Sequence, residues 1–327
     1  MDILTQAVLG ATVAVAVAPP AERRAAAAIG LIAGILPDAD ALIQSGSDPL
    51  LVLDYHRHFT HALIAVPMIA MLAALICHPF ARRRLPFARV MRYSFAGCAF
   101  AGLLDACTSY GTHLWLPFSE AKVAWNLVAV VDPAFTLALL VPLLIALRRP
   151  HRASVPVGLL LAACYLGLGF AQHLRVERAV AEIAAARGHA PARLTVKPTL
   201  GNLLLWRALY VYDNHVQADA VHAGFTPRHY AGERAPLLGP VPAARRADVE
   251  RFRTFADDWL VAAGPDAVGD ARYAMLPTAI RPIWGIAWDA EGRLSFTARH
   301  EMAKAERDAW LAMLLGRCLV TEASACG

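Results

Sequence analysis

Charge vanishes from the first half of the chain in six long stretches. Residues 6–21, 25–36, 62–77, 93–104, 133–147 and 155–171 contain no Asp, Glu, Lys or Arg. A helix that crosses a bilayer takes about 20 mostly apolar residues, with a range of about 17–25. Most of these stretches reach that length once flanking residues are counted. Residues 25–36 and 93–104 are short, which suits a re-entrant segment or a tilted helix buried by its neighbours. The pattern predicts a mainly α, polytopic helical membrane domain of about six spans, some of them short.

The pattern changes near Gln172. Acidic residues return, and residues 176–187 read as a helix. Residues 203–212 and 216–222 read as strands around the turn Asp213-Asn214. Residues 248–262 place Val249, Phe252, Phe255, Trp259 and Leu260 on one side of an amphipathic helix. Residues 283–288 and 294–297 flank Asp289-Ala290-Glu291-Gly292 as another hairpin. A final helix is expected over 299–319. The chain therefore divides into a helical transmembrane domain, residues 1–173, and a small soluble α+β domain, residues 174–327. It has no internal repeat, no phosphate-binding glycine loop and no G-x-S-x-G nucleophile motif.

Composition supports the membrane assignment. Of 327 residues, 57% are hydrophobic and 17% charged, and the mean hydropathy is +0.45. Soluble domains lie nearer about 45–50% apolar and about 25% charged, which argues against a large soluble bundle. Asp2 is the only early charge, so the first stretch lacks the basic region of a cleaved signal and reads as a membrane helix. Cys77, Cys98, Cys107 and Cys164 lie in or at the ends of apolar stretches and form no C-x-x-C pair, so they read as small buried hydrophobes. Cys318 and Cys326 either pair in an oxidising compartment or stay free.

The net charge of +5 matters less than the placement of the basic residues. Arg23-Arg24 separates the first two stretches, Arg82-Arg83-Arg84 with Arg89 and Arg92 follows the third, and Arg148-Arg149 with Arg152 follows the fifth. Short loops rich in Lys and Arg stay cytoplasmic. With six spans, loops 37–61 and 105–131 and the domain after residue 173 then face the extracytoplasmic side. A bacterial inner membrane is the expected location. No feature points to nucleic acid.

The chemistry-bearing residues gather at that opposite face. The second stretch ends in Pro37-Asp38-Ala39-Asp40, and His56-Arg57-His58-Phe59-Thr60-His61 precedes the third. Asp105 closes the fourth, and Asp132-Pro133 opens the fifth, where Asp132 reads best as a helix N-cap. Carboxylates mixed with imidazoles suit zinc, manganese or iron better than calcium. Acidic groups at a membrane helix end are costly unless paired, so they usually have a task. His113 reads equally as a ligand or an interface residue. His215, His222 and His229 are spaced seven apart, a spacing read as accidental.

Four ordered boxes carry a resemblance. They are Met1-Asp2-Ile3-Leu4-Thr5-Gln6-Ala7-Val8-Leu9-Gly10, Pro37-Asp38-Ala39-Asp40, His56 to His61, and Leu104-Asp105-Ala106-Cys107-Thr108-Ser109-Tyr110-Gly111-Thr112 through Pro117-Phe118-Ser119 to Val131-Asp132-Pro133. Over about residues 1–175 they resemble the YdjM-type family of membrane-bound metal-dependent hydrolases, in its longer members with a C-terminal soluble domain. The resemblance implies Asp38, Asp40, His56, His61 and Asp105 as metal ligands, with Arg57 and Thr60 beside them. A distant likeness of the family to zinc-dependent phospholipases and nucleases implies phosphoester substrates. The chain departs at Ala101, where members often carry histidine, at His58, where a small residue is usual, and at Gln6, where shorter members have histidine.

Together these features lead to an expected membrane-bound hydrolase that holds a divalent metal, zinc first and manganese second. Its substrate is expected to be a phosphoester or lipid-linked molecule met among membrane lipids. Asp40 is the candidate general base, and Arg57 the group that neutralises an anionic substrate. The alternative is a non-catalytic membrane protein with a structural or lost metal site and a partner-binding C-terminal domain.

Overall fold

The computed structural model describes residues 1–149, 153–299 and 301–317. They form two compact units, one of residues 1–43, 55–170 and 200–202, the other of residues 44–54, 171–199 and 203–327.

The first unit is helical. Helix α1 (Ile3–Ala16) starts at Asp2, whose side chain accepts from the Thr5 N–H. Helix α2 (Arg23–Ile35) runs into Pro37, which has no N–H to continue the ladder, and the chain tightens into a 3-10 turn over Leu36–Leu42. After the short α3 (Leu51–Tyr55), which belongs to the second unit up to residue 54, and two 3-10 turns come α4 (Val66–Ala81), α5 (Phe87–Cys98), α6 (Ala101–Ala106), α7 (Pro133–Arg148) and α8 (Ser154–Ala186), whose residues from 171 on also belong to the second unit. Asp132 caps α7, accepting from the N–H groups of Ala134 and Phe135. Helices α1, α2 and α5 meet backbone to backbone. A Cβ added at Gly30 would lie 2.4 Å from the Gly10 carbonyl oxygen, and one at Gly97 2.7 Å from that of Gly30. Small residues permit such close approach between apolar helices.

Among the described residues three helical segments are long and apolar enough to cross a membrane: Pro20–Leu42, Leu63–Ala81 and Ser154–Ala186. This is fewer than the six expected. The first and fifth apolar stretches form helices of 14 and 16 residues, about 21 and 24 Å long at 1.5 Å per residue. The hydrocarbon core is about 30 Å thick. The fourth stretch is broken, because α5 ends at Cys98 and α6 starts afresh at Ala101. Leu160, Leu161, Leu168 and Phe170 on α8 and Met68, Leu72, Leu75 and Ile76 on α4 are exposed. Exposed apolar faces of this kind suit lipid. Cys77, Cys98 and Cys107 are buried as expected, but Cys164 is exposed on α8.

The second unit carries two antiparallel sheets. One consists of β1 (Arg193–Pro198), β2 (Leu205–Tyr212), β3 (His215–His222) and β4 (Arg228–Tyr230) in that order, with β5 (Arg234–Pro236) also on β3. Asp213 and Asn214 both have positive φ, as a two-residue hairpin turn requires. Helix α9 (Arg246–Ala256) follows, then β6 (Leu260–Gly264), β7 (Ala267–Asp270), β8 (Trp284–Trp288) and β9 (Leu294–Ala298) in a second sheet, and α10 (Lys304–Leu314). The amphipathic helix expected through residue 262 stops earlier. Asp257 and Asp258 take left-handed φ values, and Leu260 enters a strand instead. The helix expected over 176–187 is the end of α8, which runs unbroken through the change in sequence character. The final helix ends at Leu314, and Cys318 and Cys326 lie outside the described residues.

Candidate metal centre

Asp38, His61 and Asp105 form one group whose ligand atoms all lie within 4.8 Å of one another. Each is delivered by a helix end. Asp38 lies in the 3-10 turn after α2, His61 in the turn Phe59–His61 before α4, and Asp105 on the last turn of α6. The short α6 reaches the centre because Gly102 has no side chain. A Cβ there would stand 2.2 Å from the His61 carbonyl oxygen.

His61 Nε2 lies 2.9 Å from Asp105 Oδ2 and 3.3 Å from Asp38 Oδ1. Yet His61 Nε2 and Asp105 Oδ2 are both buried without a hydrogen-bond partner. Buried polar groups are nearly always satisfied. Two carboxylates converging on an imidazole nitrogen call for a positive species among them, a proton on the ring or a metal ion. One imidazole and two carboxylates match the three protein ligands and open position of a catalytic metal site in number, and such nitrogen and oxygen donors fit a divalent ion. The Asp38 side chain is 14% exposed while His61 and Asp105 are closed off, so access lies on the Asp38 side.

Asp40 stands behind His61. Its Oδ2 accepts from the Arg57 N–H at 2.9 Å and from Thr60 Oγ1 at 2.5 Å, and lies 3.3 Å from His61 Nδ1. Its Oδ1 lies 2.8 Å from His56 Nδ1. A carboxylate against the far nitrogen of an imidazole is the usual device that fixes its tautomer and ring orientation. Asp40 and His56 therefore adjoin the three-residue group rather than forming part of it.

Arg57 has φ of 62°, a conformation rare for a non-glycine residue, and this turns its N–H to Asp40. Its buried guanidinium donates to Thr108 Oγ1 at 3.1 Å, pairs with Asp105 Oδ1 at 3.3 Å and stacks over the Tyr110 ring at 5.0 Å, while its Nε has no partner. The Met1 amine also contacts Asp105 Oδ1. Thr108 and Tyr110 were visible in the sequence only as members of the box after Asp105; nothing there marked them as partners of Arg57.

Two departures from the family pattern touch each other. Gln6 Nε2 donates to the Ala101 carbonyl at 3.1 Å. His113 and His58 pack edge to face, 4.8 Å between ring centres. In the second unit His215, His222 and His229 fall at separate register positions, paired with Tyr212, Leu205 and Val221, and make no common site.

The family model described as YdjM inner membrane protein matches residues 1–176. No curated protein and no solved structure matches the chain.

Proposed function

Because the chain belongs to the YdjM inner membrane protein family, we propose that it is a membrane-bound, metal-dependent hydrolase of a phosphoester or lipid-linked substrate. The observation that carries this reading is the pair of buried, unpartnered atoms His61 Nε2 and Asp105 Oδ2, facing each other beside Asp38. A divalent ion held by Asp38, His61 and Asp105, zinc first and manganese second, would supply Lewis acidity and a water of lowered pKa. Asp40 orients His61 through Nδ1. His56, with its side chain 34% exposed, links Asp40 to solvent. Arg57 neutralises an anionic substrate group through its free Nε, since a planar guanidinium matches phosphate oxygens.

The proposed face is extracytoplasmic. Arg23 and Arg24 start α2 while Asp38 follows its other end; His61 precedes α4 while Arg82, Arg83 and Arg84 follow it. The arginine-rich ends belong inside, which sets the aspartates and histidines outside whatever the number of other spans. The C-terminal unit is proposed to lie on that side too.

A non-catalytic reading is favoured by one observation, Ala101, where family members often carry histidine and where this chain offers only a backbone carbonyl to Gln6. In it a proton, not a metal, sits on His61, and the soluble unit binds a partner. Purified protein in lipid nanodiscs, screened against phosphoester lipids with zinc or manganese, separates the two. Chelator-sensitive hydrolysis, lost in Asp38→Ala and His61→Ala variants that still insert, supports the hydrolase. Equal turnover in wild type and both variants sinks it.

A further inference from the structure

A second place where imidazole nitrogens are buried and bare lies close by in sequence but has its own residues. His58 Nδ1 and His113 Nδ1 are both buried without a hydrogen-bond partner. The rings are 4.8 Å apart at 60° to one another. Their positions are fixed from the backbone. His58 N–H donates to the Tyr55 carbonyl at 3.1 Å, and His113 N–H to the Arg57 carbonyl at 3.2 Å. Next to them Leu63 N–H donates to the Leu114 carbonyl at 3.0 Å.

The tautomer of His113 follows from its partners. Its ring hydrogen-bonds the backbone of Glu120, and since Nδ1 has no partner the bond is made from Nε2–H to the carbonyl. Nδ1 then carries the lone pair, turned inward with no donor to meet it. An imidazole that gives one N–H to a backbone carbonyl and presents the other nitrogen bare is the usual state of a metal-bound histidine. Two rings packed only as aromatics would turn a polar nitrogen to water or to a donor.

We propose that His58 and His113 hold a second divalent ion through their Nδ1 atoms, at a position distinct from Asp38, His61 and Asp105. The remaining coordination positions are open to water. The nearby Lys122 cation selects against an ion held by charge alone, such as calcium or magnesium. It favours one that bonds strongly to neutral imidazole, zinc or copper. The proposal stands whether or not the chain is a hydrolase.

Metal content measured by mass spectrometry tests it on the full chain in detergent, after equilibration with zinc and desalting. Wild type is expected to hold about two zinc ions per chain, and both His58→Ala/His113→Ala and His61→Ala about one. Because an alanine pair leaves a void that can collapse locally, His58→Gln/His113→Gln is measured alongside, with elution volume as the check on folding. The nitrogen couplings in the copper electron paramagnetic resonance spectrum are expected to lose the imidazole pair in the same variants. If wild type holds one ion, lost in His61→Ala and retained in both pair variants, the second site is overturned and the hydrolase reading survives. If the ion is lost only in the pair variants, the second site stands and the hydrolase reading fails. Equal stoichiometry in wild type and pair variants overturns the proposal in any case.

Discussion

Each unit of the molecule buries an aspartate completely beside a histidine and an arginine, and the two are finished in opposite ways. Asp219 in the second unit accepts at Oδ1 from Gln217 Nε2 and the Gly232 N–H, both within 3.1 Å, and at Oδ2 from Arg187 Nη1 at 2.6 Å, with His229 Nε2 3.2 Å away. Arg187 in turn donates to Tyr210, whose hydroxyl also meets His189. Every acceptor there has a donor. Asp105 in the first unit has Arg57 at Oδ1 but leaves Oδ2 facing the bare Nε2 of His61. A closed network of buried polar groups gives rigidity and a unique packing; an open one at an accessible helix end leaves room for a ligand.

The sharpest way to break this contrast is Asp105→Asn. It removes one of the three proposed ligands and is expected to abolish metal retention, at least a 100-fold loss of affinity measured by competition with a chelator. Retention at wild-type level would make Asp105 as structural as Asp219. The counterpart is Asp219→Ala, expected to leave metal content unchanged while destabilising the second unit by about 3 kcal/mol, since Arg187 loses its buried partner. Hydrogen exchange along β2 to β4 reports it.

The same aspartate predicts a pH effect. Burial pushes its pKa up, but the hydrogen bonds of His229 and Arg187 outweigh this and hold it below 3.8. Its stabilising contribution is therefore complete above 3.8 and lost as pH falls through the lower folded value. In Asp219→Ala the acid-side slope of stability is expected to flatten.

Asp40→Asn comes next. It keeps the shape of the residue but weakens the hold on His61 Nδ1, and metal affinity is expected to fall about 10–100-fold with the ion still bound. An unchanged affinity would remove Asp40 from any part in the centre.

The smallest effect concerns a place where the second unit departs from that closed pattern. Lys197 on β1 is buried beside Arg207, its register partner on β2, and its Nζ lies 3.0 Å from the Tyr273 ring centre with no hydrogen-bond acceptor. Burial lowers its pKa well below 10.5. Unfolding then takes up a proton, so this residue makes stability rise with pH until the unfolded value is reached. Lys197→Met is expected to stabilise the protein by about 1–2 kcal/mol near neutral pH and to remove that slope in thermal melts.

The sequence by itself determined what local rules control. Uncharged stretches became helices because each satisfies its own backbone in an apolar medium. Asp132-Pro133 became a cap, and Asp213-Asn214 a two-residue turn, because those residues favour the required φ values. Asp38, Asp40, His56, His61 and Asp105 stood out because charge and imidazole at helix ends contrast with the apolar stretches around them.

Tertiary structure alone decided which of them meet. The close approach at Gly102 brings Asp105 to His61, 44 residues earlier in the chain, and sets Asp40 and His56 around rather than among the converging atoms. Long-range packing likewise broke the fourth apolar stretch, joined His58 to His113, set Gln6 against Ala101 and buried Lys197. These outcomes depend on contacts between residues far apart in sequence, where no helical or strand period carries information.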